Sequence, residues 1–360
     1  MKAINISLLI FLWIAFTQVK GQNTITTTDF STVDSFVISI KYDNSLIQLS
    51  KDLTSVYTEE VYKVRSIFKW ITENISYDYK FLNKGKEEKK PDCENVINCK
   101  QKIAEWESNY LKKVLHKKKA VCYGYALLFK TLCDYAGIKA EIIEGYARTR
   151  PYQVGNNMSV NHAWNAVQIN DHWYYLDATW AAGYCIEDED KGLLTEFVKK
   201  YQNYYWCTDY ELLKRNHFPK NGRWALQNNF TKEKFFNQPH YYNQDILEKI
   251  SLQTPDTGVL HVKKGDTIHF KFKYRDNISK LQINSNIFRN PSFWSKEEIS
   301  RKKSIMVRDT SADRKQVYIP FIKNDQVYEF HYVVENTALY YLDIIFDYKK
   351  ALRFRIKLVE

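Results

Sequence analysis

Cys122, His162 and Asp177 are three residue types that together can make an acyl-transfer centre, and they occur in that order along the chain. A thiolate attacks an amide carbonyl readily, but expelling the amine requires a proton, and so a histidine within reach. The histidine in turn needs a carboxylate that fixes its tautomer and steadies the imidazolium. Cys122 opens a segment in which Ala126, Phe129, Leu132, Cys133 and Ala136 form an apolar stripe at helical spacing, with Gly137 placed to stop it. A thiol on the first turn of a helix lies at the positive end of the macrodipole, which favours the thiolate. Gly124 keeps that turn open to close approach.

The elements that must carry the other two residues are strands. Residues 160–169 and 172–179 read as a pair joined by Asn170-Asp171, a two-residue hairpin turn. In that register position 164 faces position 177, so His162 shares a sheet face with Asp177 as its diagonal neighbour, roughly 7–8 Å away at the backbone. A turn one residue longer or shorter would put the two side chains on opposite faces. Upstream, Val61, Val64, Ile67, Phe68 and Ile71 fall at helical spacing from Glu59 onward. Residues 138–148 read as another strand, and residues 83–100, charged and containing Pro91, as a loop.

Three segments carry a family resemblance. Ala120-Val121-Cys122-Tyr123-Gly124-Tyr125-Ala126, Asn161-His162-Ala163-Trp164-Asn165 and Trp173-Tyr174-Tyr175-Leu176-Asp177-Ala178-Thr179-Trp180 resemble the three ordered motifs of the transglutaminase-like superfamily. Ile75-Ser76-Tyr77-Asp78 is similar to the segment that ends the family's first helix. His217-Phe218-Pro219, with Trp224-Ala225-Leu226, resembles the closing segment of the kyphoscoliosis-peptidase-like branch. The resemblance runs over about residues 50–228. It implies Cys122 as nucleophile, His162 as general base and acid, and Asp177 as the orienting carboxylate, on a papain-like core. It also implies an oxyanion hole whose first donor is the Cys122 N–H, with Trp106 and Tyr77 as candidates for the second. Trp164 and Trp180 flank the motifs, either walling the cleft or packing beneath it.

Around this core the chain organises itself as α+β. Residues 1–21 read as a secretory signal: Lys2, an apolar run from Ile6 to Thr17, and Val19-Lys20-Gly21 before Gln22. Residues 22–45 form a Thr/Ser-rich extended lead-in, residues 46–230 the catalytic domain, in which the cysteine helix packs on an antiparallel sheet, and residues 231–360 an Ig-like β-sandwich. Seven strand-like runs, at 259–262, 267–274, 281–287, 316–322, 327–334, 338–346 and 352–358, support the last assignment. The 27 Tyr, 20 Phe and 9 Trp fit such a strand-rich interior. Beyond residue 22 no apolar stretch has the length of a membrane helix.

The remaining signals are weaker. The net charge of +11 sits partly in lysine clusters at 84–90 and 112–119; without a nucleic-acid motif or interleaved aromatics these read as solvated faces. Cys93 with Cys99, and Cys185 with Cys207, are spaced to bridge, leaving Cys133 as a packed core thiol. His116, His172 and His217 have no Cys or carboxylate at metal-ligand spacing and read as surface or packing residues. Glu187-Asp188-Glu189-Asp190 lacks the glycine and closing glutamate of a calcium loop. Asn74, Asn157, Asn229 and Asn277 head Asn-x-Ser/Thr sequences, which matter only in a glycosylating host. The reading is an exported, secreted or periplasmic, cysteine peptidase or amidase with a protein or peptide substrate and no cofactor or metal. Its β-sandwich would meet an envelope or extracellular polymer. A cross-linking transglutaminase and a non-catalytic scaffold are the alternatives.

Overall fold

The computed structural model describes residues 25, 28–86, 88–92, 98–188, 191–225, 230–288, 294–300, 303–308 and 317–359. The expected signal segment, Cys93, Glu189-Asp190, Leu226 and Asn229 lie outside them. The chain parts into two compact units: residues 1–143 with 163–209, and residues 144–162 with 210–360.

The first unit is helix-rich. Its helices are α1 (Ser31–Phe36), α2 (Leu46–Thr54), α3 (Glu60–Asn74), α4 (Tyr79–Asn83), α5 (Cys99–Lys117), α6 (Cys122–Tyr135) and α7 (Ala178–Ala182). Its strands are β1 (Ser76–Tyr77), β2 (Lys119–Ala120), β3 (Ala140–Ala147), β4 (His162–Ile169), β5 (His172–Leu176), β6 (Gly183–Asp188) and β7 (Leu193–Lys199). The chain crosses between the units inside β3 and β4. The apolar stripe expected from Glu59 onward buries Val64, Ile67, Phe68 and Ile71, and α3 packs against α1, α2, α6 and α7. Residues 31–36, within the stretch expected to be extended, form α1.

One ion pair holds α1 to α3. Arg65, on α3, gives Nε and Nη2 to the two carboxylate oxygens of Asp34, both at 2.7 Å, and Nη1 to Asn203 Oδ1 at 2.9 Å. The Phe30, Tyr201 and Trp206 rings close around the guanidinium at 4.9–5.3 Å. Such a buried pair stabilises little against an apolar substitute, yet breaking it leaves a charge uncompensated. Asp34→Ala should therefore lower stability by about 3 kcal/mol, the low end of that range because Asp34 keeps a quarter of its side chain exposed. Denaturant unfolding measures it; a loss below about 0.5 kcal/mol, the range of a neutral surface change, would mean the rings alone hold the arginine.

The second unit adds α8 (Tyr210–Leu213), α9 (Lys232–Asn237) and α10 (Gln244–Lys249). Its short strands β8 (His217–Pro219) and β9 (His240–Tyr241) precede the large sheets. These use β10 (Ile250–Thr254), β11 (Val259–Val262), β12 (Thr267–Tyr274), β13 (Leu281–Ser285), β14 (Trp294–Ser300), β15 (Lys303–Arg308), β16 (Val317–Tyr318), β17 (Ile322–Asn324), β18 (Val327–Val333), β19 (Tyr341–Phe346) and β20 (Lys349–Leu358). One sheet runs β10-β12-β18-β17, the other β11-β20-β19-β13-β16. Every second residue of β12 points inward, the pattern of a strand with one buried face. Phe270 meets Phe354 at 5.2 Å and Phe272 meets Phe346 at 5.2 Å, so the two sheets pack face to face over one core. The expected strand-rich C-terminal region is present; β10 and the β14–β15 hairpin are additions to it.

Candidate active site

Cys122 is the first residue of α6, half-buried and free. The preceding Val121 is extended (φ −89°, ψ 175°) and has no side-chain cap; its carbonyl accepts from Gly124 N–H at 2.9 Å, and Cys122 stands ahead of that first bond at the positive end of the helix. At the other end the helix closes by a Schellman motif: Ile138 N–H donates to Cys133 O, Gly137 N–H to Asp134 O, and Gly137 takes φ +72°. Gly124 is required where it stands. A Cβ there would lie 2.7 Å from Ala120 Cβ and 2.8 Å from the Tyr110 hydroxyl.

The hairpin expected to place the other two residues forms as read. Asn170 and Asp171 take φ +49° and +63°, and β4 pairs with β5 from Asn165↔Leu176 to Ile169↔His172. One step further along this register, position 164 faces 177. His162 heads β4, and Asp177 follows β5 directly. Asn165, on the same strand, donates from Nδ2 to Ala126 O at 3.0 Å and to Glu141 O at 3.2 Å. That amide pins β4 to the helix carrying Cys122 and to β3, a role sequence reasoning missed. Asn161 pairs through both amide atoms with the backbone of Ala147. The two asparagines of the motif thus fix the backbone on either side of His162.

Asp177 is fully buried and caps α7: its Oδ1 accepts from Thr179 N–H at 2.8 Å and Trp180 N–H at 3.0 Å. Its own N–H donates to Tyr205 O. One atom each of His162, Asp177 and His217 lies within 4.8 Å of the other two. His217, read as a surface or packing residue, is buried beside His162 with ring centres 5.3 Å apart. It donates Nδ1–H to Asn216 Oδ1 at 2.6 Å, since a carbonyl oxygen can only accept. Two imidazoles and a carboxylate can ligate a metal ion as well as pass a proton. The signal for His217 was its place in His217-Phe218-Pro219, not its spacing from any ligand.

Tyr77 is a second residue that gained a place. Burial raises its phenol first, and the charges of Cys122, Cys185 and Asp177 raise it further. The hydroxyl thus stays protonated, a donor among the groups of this centre. β1 brings it there by pairing parallel with β2, Tyr77 opposite Ala120, two residues before Cys122. Trp106 instead stacks on Tyr110 at 5.4 Å. Trp164 is fully buried packing, whereas Trp180 stays half-exposed against Tyr205.

The expected Cys185–Cys207 bridge is absent: neither thiol is in a disulfide. Cys207 is buried beside Arg65 and Trp206, while Cys185 faces Phe197 across the β6–β7 hairpin, half-buried. Spacing in sequence had brought together two residues that the fold gives different neighbours. Burial pushes the Cys133 and Cys207 thiols up, away from reactivity. Cys99 is disulfide-bonded. His116 and His172 are on the surface.

Comparison with known proteins agrees with the motifs. Residues 47–178 match the family model of the transglutaminase-like superfamily, a span that contains Cys122, His162 and Asp177. Kyphoscoliosis peptidase of mouse is 27% identical over 240 residues, which cover 66% of this chain and 32% of that protein; the human protein gives the same figures. Hillarin of Drosophila melanogaster is 24% identical over 241 residues, 64% of this chain and 27% of hillarin. The chain spans about a third of the length of the kyphoscoliosis peptidases it matches. Among solved structures, the periplasmic domain of TgpA from Pseudomonas aeruginosa is 18% identical with a TM-score of 0.26, covering 43% of this chain and 49% of that one, too loose a superposition to carry weight. Residues 47–178, which contain Cys122, His162 and Asp177, are thus similar to the domains of the transglutaminase-like superfamily.

Proposed function

We propose that this chain is an exported cysteine peptidase or amidase that works through a thioester on Cys122. The observation that carries the reading is Cys122 itself: a free, half-buried thiol on the first residue of a helix with no side-chain cap, at the positive end of its macrodipole. In the cycle, the Cys122 sulfur adds to an amide carbonyl while its proton passes to His162. The imidazolium hands that proton to the departing amine, the C–N bond breaks, and a thioester remains. Water, deprotonated by His162, then releases the acid and restores the thiol. The Cys122 N–H and the Tyr77 hydroxyl are the donors assigned to the oxyanion. Hydrolysis is preferred to transfer onto an amine because the relatives include proteins named as peptidases. Export is supported by the sequence of residues 1–21 and by the bonded Cys99, at home in an oxidising compartment. The β-sheet unit would hold the enzyme to an envelope or extracellular polymer.

The test is an electrophilic, thiol-directed acyl probe on the full chain, with the modified peptide located by mass spectrometry. Labelling is expected at Cys122, with Cys133 and Cys207 silent. Labelling that persists in Cys122→Ala and vanishes in Cys185→Ala would overturn the assignment. Supplying an amine during turnover of a peptide amide separates the two outcomes: free acid signals hydrolysis, an incorporated amine signals transamidation.

A further inference from the structure

We propose that His269 and His331 form a surface site for a divalent transition-metal ion such as zinc or nickel, with Glu329 as a third ligand. The two histidines are direct partners across the antiparallel β12–β18 ladder, and both are exposed. Their ring centres are 4.4 Å apart at an interplanar angle of 75°. Two imidazoles that share one ion at ~2.0–2.1 Å, subtending a near-right to tetrahedral angle, have ring centres about 4.5–5 Å apart. The observed spacing is therefore close to that of a chelate. Rotation about the histidine χ2 torsions, which are broad and soft, can turn a nitrogen of each ring toward a common point.

The backbone beneath is already fixed. On the inner face Phe270 stacks on Phe330 at 4.7 Å with planes 12° apart, and seven consecutive residue pairs of β12 and β18 are in register. A site on such a ladder loses little conformational freedom when an ion arrives. Neutral imidazole suits zinc and nickel, whereas magnesium and calcium would demand oxygen ligands this face does not supply in number.

Glu329 lies two residues from His331 on the same strand, and so on the same sheet face. Its Oε1 is 2.7 Å from Lys271 Nζ, with the two side chains 35% and 42% exposed. A pair that open to water contributes little, so the carboxylate can exchange its lysine for a dication. Lys271 opposes the ion until it swings away, which makes Glu329 a weaker ligand than the histidines.

The experiment is a calorimetric titration of tag-free, full-length chain with Ni2+, repeated with Zn2+. Wild type is compared with His269→Gln, His331→Gln, the double variant and Glu329→Gln. Both histidines are exposed strand positions, so folding should survive, and circular dichroism checks it. One binding event is expected, weakened by an order of magnitude or more in each single histidine variant and abolished in the double. Glu329→Gln should weaken it less. Absence of that event in wild type, or its persistence unchanged in the double variant, as for an ion taken by cysteines or by the His162–Asp177–His217 group, would overturn the proposal.

Discussion

Cys122→Ala is expected to lower turnover of a susceptible peptide by on the order of 10⁴-fold or more, with no loss of fold. The reason is division of labour. The thiol supplies the electron pair that forms the new C–S bond, and nothing else on the first turn of α6 can do so. Alanine is a good helix residue and removes one half-buried sulfur, so α6, closed at its far end by Gly137, should keep its stability. His162→Ala should cost about as much, because a thiol without a base and a base without a thiol both leave only the oxyanion donors and binding. The double variant should be no worse than either single one, since residues acting as a unit are far from additive. Turnover assays on the three variants decide it. Activity of Cys122→Ala above a tenth of wild type would place the nucleophile elsewhere, with Cys185, half-buried and outside any disulfide, first to be examined.

Why could so much of this centre be read from the chain? Each legible feature was local. Asn170-Asp171 is a turn whose chemistry sets its length, and turn length sets register, so the face shared by His162 and Asp177 followed from two residues. Helix α6 has its apolar stripe and terminating glycine within sixteen residues. The strands at residues 267–274 and 327–333 alternate inside and outside as a one-faced sheet requires.

What escaped was of two kinds. Helix α5 carries Ile103, Trp106, Tyr110, Leu111, Val114 and Leu115 at helical spacing, and buries the last four, yet its lysines drew the eye to charge. That signal was present and passed over. Asn165 and His217 are different, because their roles depend on partners far along the chain, and for the same reason Tyr77, named as a candidate donor, could not be told from Trp106. Asn165 acquires its role from the carbonyls of Ala126 and Glu141, and Tyr77 from a two-residue strand pairing too short to leave a pattern. The unformed Cys185–Cys207 pair shows the converse error: separation in sequence says nothing about which side of a sheet or helix a thiol will meet.

Asp177 is where the demands of fold and chemistry fall on one side chain, and its substitutions should separate them. As the N-cap of α7 it accepts two backbone N–H groups through Oδ1, fully buried. In the proposed mechanism it also orients His162. Asp177→Asn can keep the capping oxygen while exchanging a charged acceptor for an amide that also donates. The imidazole then loses the charge that holds its tautomer, and kcat should fall by about 10³–10⁴-fold while stability changes by less than about 1 kcal/mol. Asp177→Ala removes both functions, so a comparable loss of kcat should come with about 1–2 kcal/mol of destabilisation. Measuring kcat beside denaturant midpoints distinguishes the roles. If the asparagine variant kept full kcat, the carboxylate would be a helix cap alone, and the proton relay would have to run from His162 through His217 and Asn216, whose ring and amide already share a 2.6 Å hydrogen bond.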